Sequence, residues 1–67
     1  MGKKIIRFTD KASGESQEML SGSLGHHVFG VTKNVNQMNS AVRWCNSHGV
    51  GDVLDDEKYK IEIIGGV

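Results

Sequence analysis

Val31, Val35, Met38, Val42 and Cys45 follow one another at intervals of four, three, four and three residues. At about 100° per residue these side chains fall within an arc of roughly 80°, a narrow apolar stripe along one helix. The spacing predicts a helix from Asn34 to Gly49, with Val31 leading into it. Asn34 is suited to the N-cap, and Gln37 stands where a capping box places its reciprocal partner. Gly49 offers the left-handed conformation that closes a helix, with Val50 positioned to touch Cys45. His48, in the last turn, favours the negative end of the helix dipole when protonated.

The same wheel sets Trp44 about 140° from the centre of the stripe, beside Gln37, Ser40, Ala41 and His48. An indole left in water forfeits roughly 2–3 kcal/mol of burial. Either the segment from Ser21 to Gly30 or the C-terminal tail folds over it, or the ring is a recognition anchor, as tryptophan often is at interfaces.

Elsewhere the period drops to two. Lys3 to Asp10 reads as a first strand, with Ile6 and Phe8 on one face and Ile5, Arg7 and Thr9 on the other. Lys11 to Gly14 supplies a hairpin loop with glycine where positive φ is wanted. Glu15 to Leu20 then pairs back with Met19 or Leu20 inward, in competition with a short helical turn over the same residues. In the hairpin, Lys4 or Arg7 faces Glu15 or Glu18. Ser21 to Gly30 is expected to be a loop that docks Leu24, Val28 and Phe29, with a short strand near His27 to Phe29. Val50 to Asp56 reads as a polar connection anchored by Val53 and Leu54. From Glu57 to Ile64 the alternation is cleanest, with Tyr59, Ile61 and Ile63 inward and Lys58, Lys60 and Glu62 outward, and Gly65 and Gly66 ending it.

The expected fold is therefore α+β in the order β-β-α-β. A small three-stranded, mostly antiparallel sheet carries one helix on one face, and residues 1–67 form a single small domain. Ile5 and Ile64 fall on the uncovered face. That face and the open strand edges make a homodimer, or strand addition by a partner, physically reasonable.

Composition narrows the function. Eight Lys and Arg residues balance eight Asp and Glu, which leaves no global field to steer the chain to nucleic acid or an anionic membrane. A single cysteine forms no internal disulfide and suits a reducing, cytoplasmic setting. Only two residues, Ile5 and Ile6, separate Lys4 from Arg7, so no signal-peptide apolar region is expected, and no run approaches membrane-spanning length. The basic residues Lys3, Lys4, Arg7 and Lys11 form a local patch on the hairpin that Glu15 and Glu18 answer, which makes nucleic acid the lesser reading.

His26, His27, Cys45 and His48 total four zinc-type ligands, with Cys45 and His48 spaced as a half-site. Cys45 nevertheless belongs to the apolar stripe, and adjacent histidines in an extended segment point to opposite sides, so neither a metal nor any other cofactor is expected. Gly22 to Phe29, GSLGHHVF, resembles the glycine-serine-histidine stretch of the HicA family of toxin ribonucleases, in which a histidine near a short strand serves the cleavage. The resemblance implies His26 or His27 as a general acid–base group, since imidazole titrates near neutrality.

The reading these features favour is a non-enzymatic, protein-binding regulator, an inhibitor or adaptor of the size of the accessory proteins that bacteriophages direct against host enzymes. Its expected contact surface comprises Trp44, Gln37, Ser40, Arg43 and His48, with Phe29 contributing from the loop. The alternative is a small nucleic-acid-binding protein or HicA-like ribonuclease using His26 and His27.

Overall fold

A computed structural model describes residues 3–66. Alternation builds a hairpin first: β1 (Lys4–Asp10) and β2 (Glu15–Leu20) pair antiparallel, Ile6 opposite Met19 and Phe8 opposite Gln17. The loop between them closes on Gly14, whose φ is +77° and whose N–H donates to Asp10 O at 2.7 Å. Asp10 Oδ1 also accepts from Ala12 N at 2.9 Å, so the turn holds itself. The strand reading of Glu15 to Leu20 holds over the helical turn, and Met19, not Leu20, packs against the core.

The sheet has four strands, not three. Val53–Asp55, expected to be plain connection, is β3, antiparallel to β4 (Tyr59–Gly66) with Leu54 opposite Ile61. The order is β2-β1-β4-β3, which brings the first and last parts of the chain together at the centre. Ile6 faces Ile63 and Phe8 faces Ile61 across that central pair, and the register shifts between Ile5 and Ile6. One row of inward side chains thus crosses all four strands: Gln17, Phe8, Ile61 and Leu54.

Two helices cover the inward face where one was expected. A short 3-10 turn at Ser21–Ser23 leads into α1 (Leu24–Thr32), so the segment read as a docking loop is helical and no strand forms at His27 to Phe29. The physical reason lies in Leu24, Val28 and Val31, four and three residues apart: Leu24 and Val28 are fully buried and Val31 packs against the core. Three glycines hid that periodicity. One of them, Gly25, lets the next helix come close, since a Cβ there would stand 3.3 Å from Met38 Cγ and from Val42 Cγ2.

That next helix, α2 (Val35–Ser47), begins and ends within two residues of expectation. Asn34 is its N-cap, its side-chain oxygen accepting from Asn36 N at 2.9 Å and Gln37 N at 3.2 Å. The reciprocal bond comes from Thr32 instead of Gln37, with Thr32 Oγ1 accepting from Asn34 N. The C-terminus departs further. His48 is extended, and Val50, 65% exposed, does not close back on Cys45. Lys4 Nζ takes over there, donating to Cys45 O and His48 O at 2.5 Å each. A cation placed on the last carbonyls serves both their hydrogen bonding and the helix dipole.

The buried face of α2 is also rotated. Ala41 and Cys45 are buried while Val35 is 54% exposed, which turns the face by roughly 60° from the expected stripe, at 100° per residue. The cause is α1, which occupies the Met38 and Val42 flank that a single helix would have turned onto the sheet. The core that results is one cluster: Ile6, Phe8, Leu24, Val28, Ala41, Cys45, Tyr59, Ile61 and Ile63.

Substitutions separate this arrangement from the expected one. Ile61→Ala empties the centre of the cluster and should cost about 3 kcal/mol of unfolding free energy, whereas Val35→Ala should cost less than about 0.5 kcal/mol. Lys33, which joins the helices at φ 54°, should gain about 0.5–1 kcal/mol when replaced by glycine. Urea denaturation of the three variants checks the set; a Val35→Ala cost near that of Ile61→Ala would restore the original stripe.

Candidate functional site

The helix period places Gln37, Ser40, Trp44 and His48 along one flank of α2, with Arg43 beside Ser40. Gln37, Ser40, Arg43 and His48 are exposed, and Trp44 is half-buried, its inner part packed on the core. Neither the segment from 21 to 30 nor full exposure describes the ring: α1 lies on the opposite flank of α2. The Trp44 indole stacks on the His48 imidazole, ring centroids 4.8 Å apart and planes 20° from parallel. His48 Nδ1 lies 2.8 Å from Trp44 O, and because a carbonyl only accepts, Nδ1 carries the proton. Trp44 is thereby held by the core on one side and by a hydrogen-bonded imidazole on the other. The bonds from Lys4 fix this end of α2 to the start of β1.

Phe29 does not join this surface. It is 39% exposed on α1, one turn beyond Gly25, on the other side of α2 from Trp44. The expected contact set therefore divides, five residues on the α2 flank and Phe29 apart from them.

A concave feature lies at the β2 edge of the sheet. A groove of about 650 Å³ opens between β2 and α1, with Phe8 at its base, Gln17 and Glu15 on one wall and His26, His27 and Gly30 on the other. His27 packs on Phe8 at 5.9 Å between centroids and bridges the walls. Its Nδ1 lies 3.0 Å from Ser23 O and its Nε2 lies 2.6 Å from Gln17 Nε2. Nδ1–H donates to the carbonyl, so Nε2 accepts from the Gln17 amide. His26 and His27 both sit on α1, so they stand on a helix and not in a loop. Sequence reasoning missed this groove because it missed α1; the spacing of Leu24, Val28 and Val31 was the signal that would have found it.

The hairpin cations are largely engaged. Arg7 pairs with Glu18 at 3.1 Å and lies 3.9 Å from Glu62 on the uncovered face. Lys11 pairs with Asp55, and that hydrogen bond holds the Asp55 carboxyl below its usual range. Among the described residues no three His, Cys, Asp or Glu side chains are grouped as a metal site requires. Cys45 is buried in the core, where desolvation pushes its thiol above the usual range against a smaller opposing effect of the Lys4 charge. Burial likewise raises Tyr59, helped by the charge of Asp56. Among the described residues no helix is long and apolar enough to cross a membrane.

No protein-family model matches the chain, and no curated protein or solved structure matches it.

The raised thiol has a definite consequence for stability. Below about pH 8 it is neutral in the folded and unfolded chain alike, and above that the unfolded thiol, near its ordinary value of about 8.5, ionises first. The unfolded state then binds fewer protons, so stability falls as pH rises, with Tyr59 extending the decline at higher pH. Urea denaturation between pH 7 and 10 should show this fall, and Cys45→Ala should flatten its first part. An identical slope in the variant would remove Cys45 as its source.

Proposed function

We propose that the protein is a small, non-enzymatic binding module that regulates a protein partner, as an inhibitor or adaptor, through the flank of α2 that carries Trp44. The single observation that supports this most is the way the indole is held, half-buried on the core and stacked on His48. A large aromatic ring already ordered in the free protein loses little side-chain freedom on binding, which is the property of residues that dominate interfaces. Around it, Gln37, Ser40 and Arg43 offer a polar rim of donors and acceptors.

The phage-accessory role suggested by the size of the chain belongs to this reading as one setting for such a regulator. The alternative, a nucleic-acid-binding protein or ribonuclease, would rest on His26 and His27. Both ring nitrogens of His27 are engaged within the protein, which leaves His26 as the group to act.

The test is a quantitative pull-down from a lysate of the source organism with wild type, Trp44→Ala and His26→Ala, each checked for an intact fold by circular dichroism. For the partner so identified, Trp44→Ala should weaken binding by about 2 kcal/mol or more, whereas His26→Ala should leave it unchanged. Partner affinity indifferent to Trp44 would sink the proposal, and RNA cleavage that disappears in His26→Ala would establish the alternative.

A further inference from the structure

The groove between β2 and α1 carries an inference independent of the α2 flank. β2 is the edge strand next to β1, and every residue along it except Met19 is exposed. It contains no proline, no lysine and no register shift against β1; its two charges, Glu15 and Glu18, are both acidic, so they disfavour pairing with a second acidic strand and favour a basic one. The opposite edge, β3, is only three residues long. The free backbone of β2 is thus the longer of the two edges, and the groove runs along its inward side.

We infer that β2 and α1 together accept an extended segment of a partner protein as an added strand, with a basic side chain of that segment lying against Asp10 and Glu15. In such strand addition the main-chain hydrogen bonds supply affinity and the pockets beside the edge select alternate side chains. The inward face of β1 and β2 at this end presents Phe8 and Gln17, then Asp10 opposite Glu15. No lysine or arginine lines the groove; Lys11 and Lys58 line a separate depression that shares only Val31 with it. The charge at the hairpin end is therefore negative, and its complement is an arginine or lysine. Gly30 keeps the helical wall low, with open space where a Cβ would project. Toward the other end the His27–Gln17 bridge limits the groove to the hairpin half of β2, while the exposed strand edge itself, Glu15–Leu20, sets the length of the incoming strand.

The experiment uses blocked six-residue peptides at physiological ionic strength, followed by amide ¹H–¹⁵N shifts of the full chain. A peptide of alternating valine and arginine should move the amides of Glu15 to Leu20 and His26 to Val31 while sparing Gln37 to His48. Replacing arginine by glutamate should weaken binding at least tenfold, and N-methylating every residue of the peptide, which removes the backbone donors of both strand edges, should abolish the β2 shifts. Glu15→Gln should lower affinity for the arginine peptide several-fold without moving the urea midpoint. The inference is overturned if the arginine peptide at millimolar concentration leaves β2 unperturbed, or if the N-methylated peptide binds equally well. It is also overturned if the β2 amides shift with protein concentration alone, since the edge would then belong to a second copy of the chain.

Discussion

The pairing of β1 with β4 is the constraint on which the molecule rests. Each terminal hairpin alone is a two-stranded ribbon, marginal in water, and β3 is too short to help much by itself. Joined through Ile6 opposite Ile63 and Phe8 opposite Ile61, the two hairpins become one four-stranded sheet with a continuous apolar inner face. The helices cannot precede this sheet as stable elements. At nine and thirteen residues they lie at or below the roughly 12–15 residues at which isolated helices are marginal in water, so their stability comes from the face they cover. Because the pairing joins the two ends of the described chain, its loop-closure cost precedes most of the burial that repays it.

How much of this was legible in the sequence follows from which signals were local. Tyr59, Ile61 and Ile63 alternate without interruption and are all buried, and Arg7 meets Glu18 as their spacing implied. Asn34 caps α2 because an N-cap needs only its own next three residues. The failures have one origin. Gly22, Gly25 and Gly30 masked α1, and with it vanished the neighbour that decides which side of α2 turns inward. A helix packed against sheet alone would centre its buried face on its widest apolar stripe. Packed against α1 as well, α2 gives Met38 and Val42 to the helix interface and turns Ala41 and Cys45 into the core, leaving Val35 exposed. β3 escaped notice for a different reason, since three residues, two of them exposed, carry no period to read.

The same rotation shapes the candidate surface. It brings Trp44 nearer the core than the stripe implied, and the ring ends neither covered nor free. A fully exposed indole would have to be ordered by its partner, and a fully buried one could not meet a partner. Stacked on His48 and packed against the core, the ring has part of its area committed to the fold and the rest presented in a fixed orientation. Lys4 contributes from a distance by holding the last carbonyls of α2 against the start of β1. That contact, made by a residue far away in sequence, was beyond any reading of the helix alone.

The layer order then determines how the two proposed surfaces can coexist on so small a domain. Across the inward face run the β2 edge with its groove, then α1, then α2, and finally the flank bearing Trp44. Gly25, Met38 and Val42 form the contact between the helices, so that junction separates the two surfaces. A strand added to β2 would meet His26 and His27 without touching Trp44, and a partner on the α2 flank would leave the β2 backbone open. Sites with no shared side chain and a packed helix between them contribute nearly additively to binding free energy. Two modest contacts on one rigid body can then produce an avidity that neither alone supplies, provided both are carried by partners whose geometry allows simultaneous engagement. For the adaptor proposed above, the packing of α1 against α2 would thus set the geometry in which the two surfaces are presented, while Trp44 would carry most of the binding on its own flank.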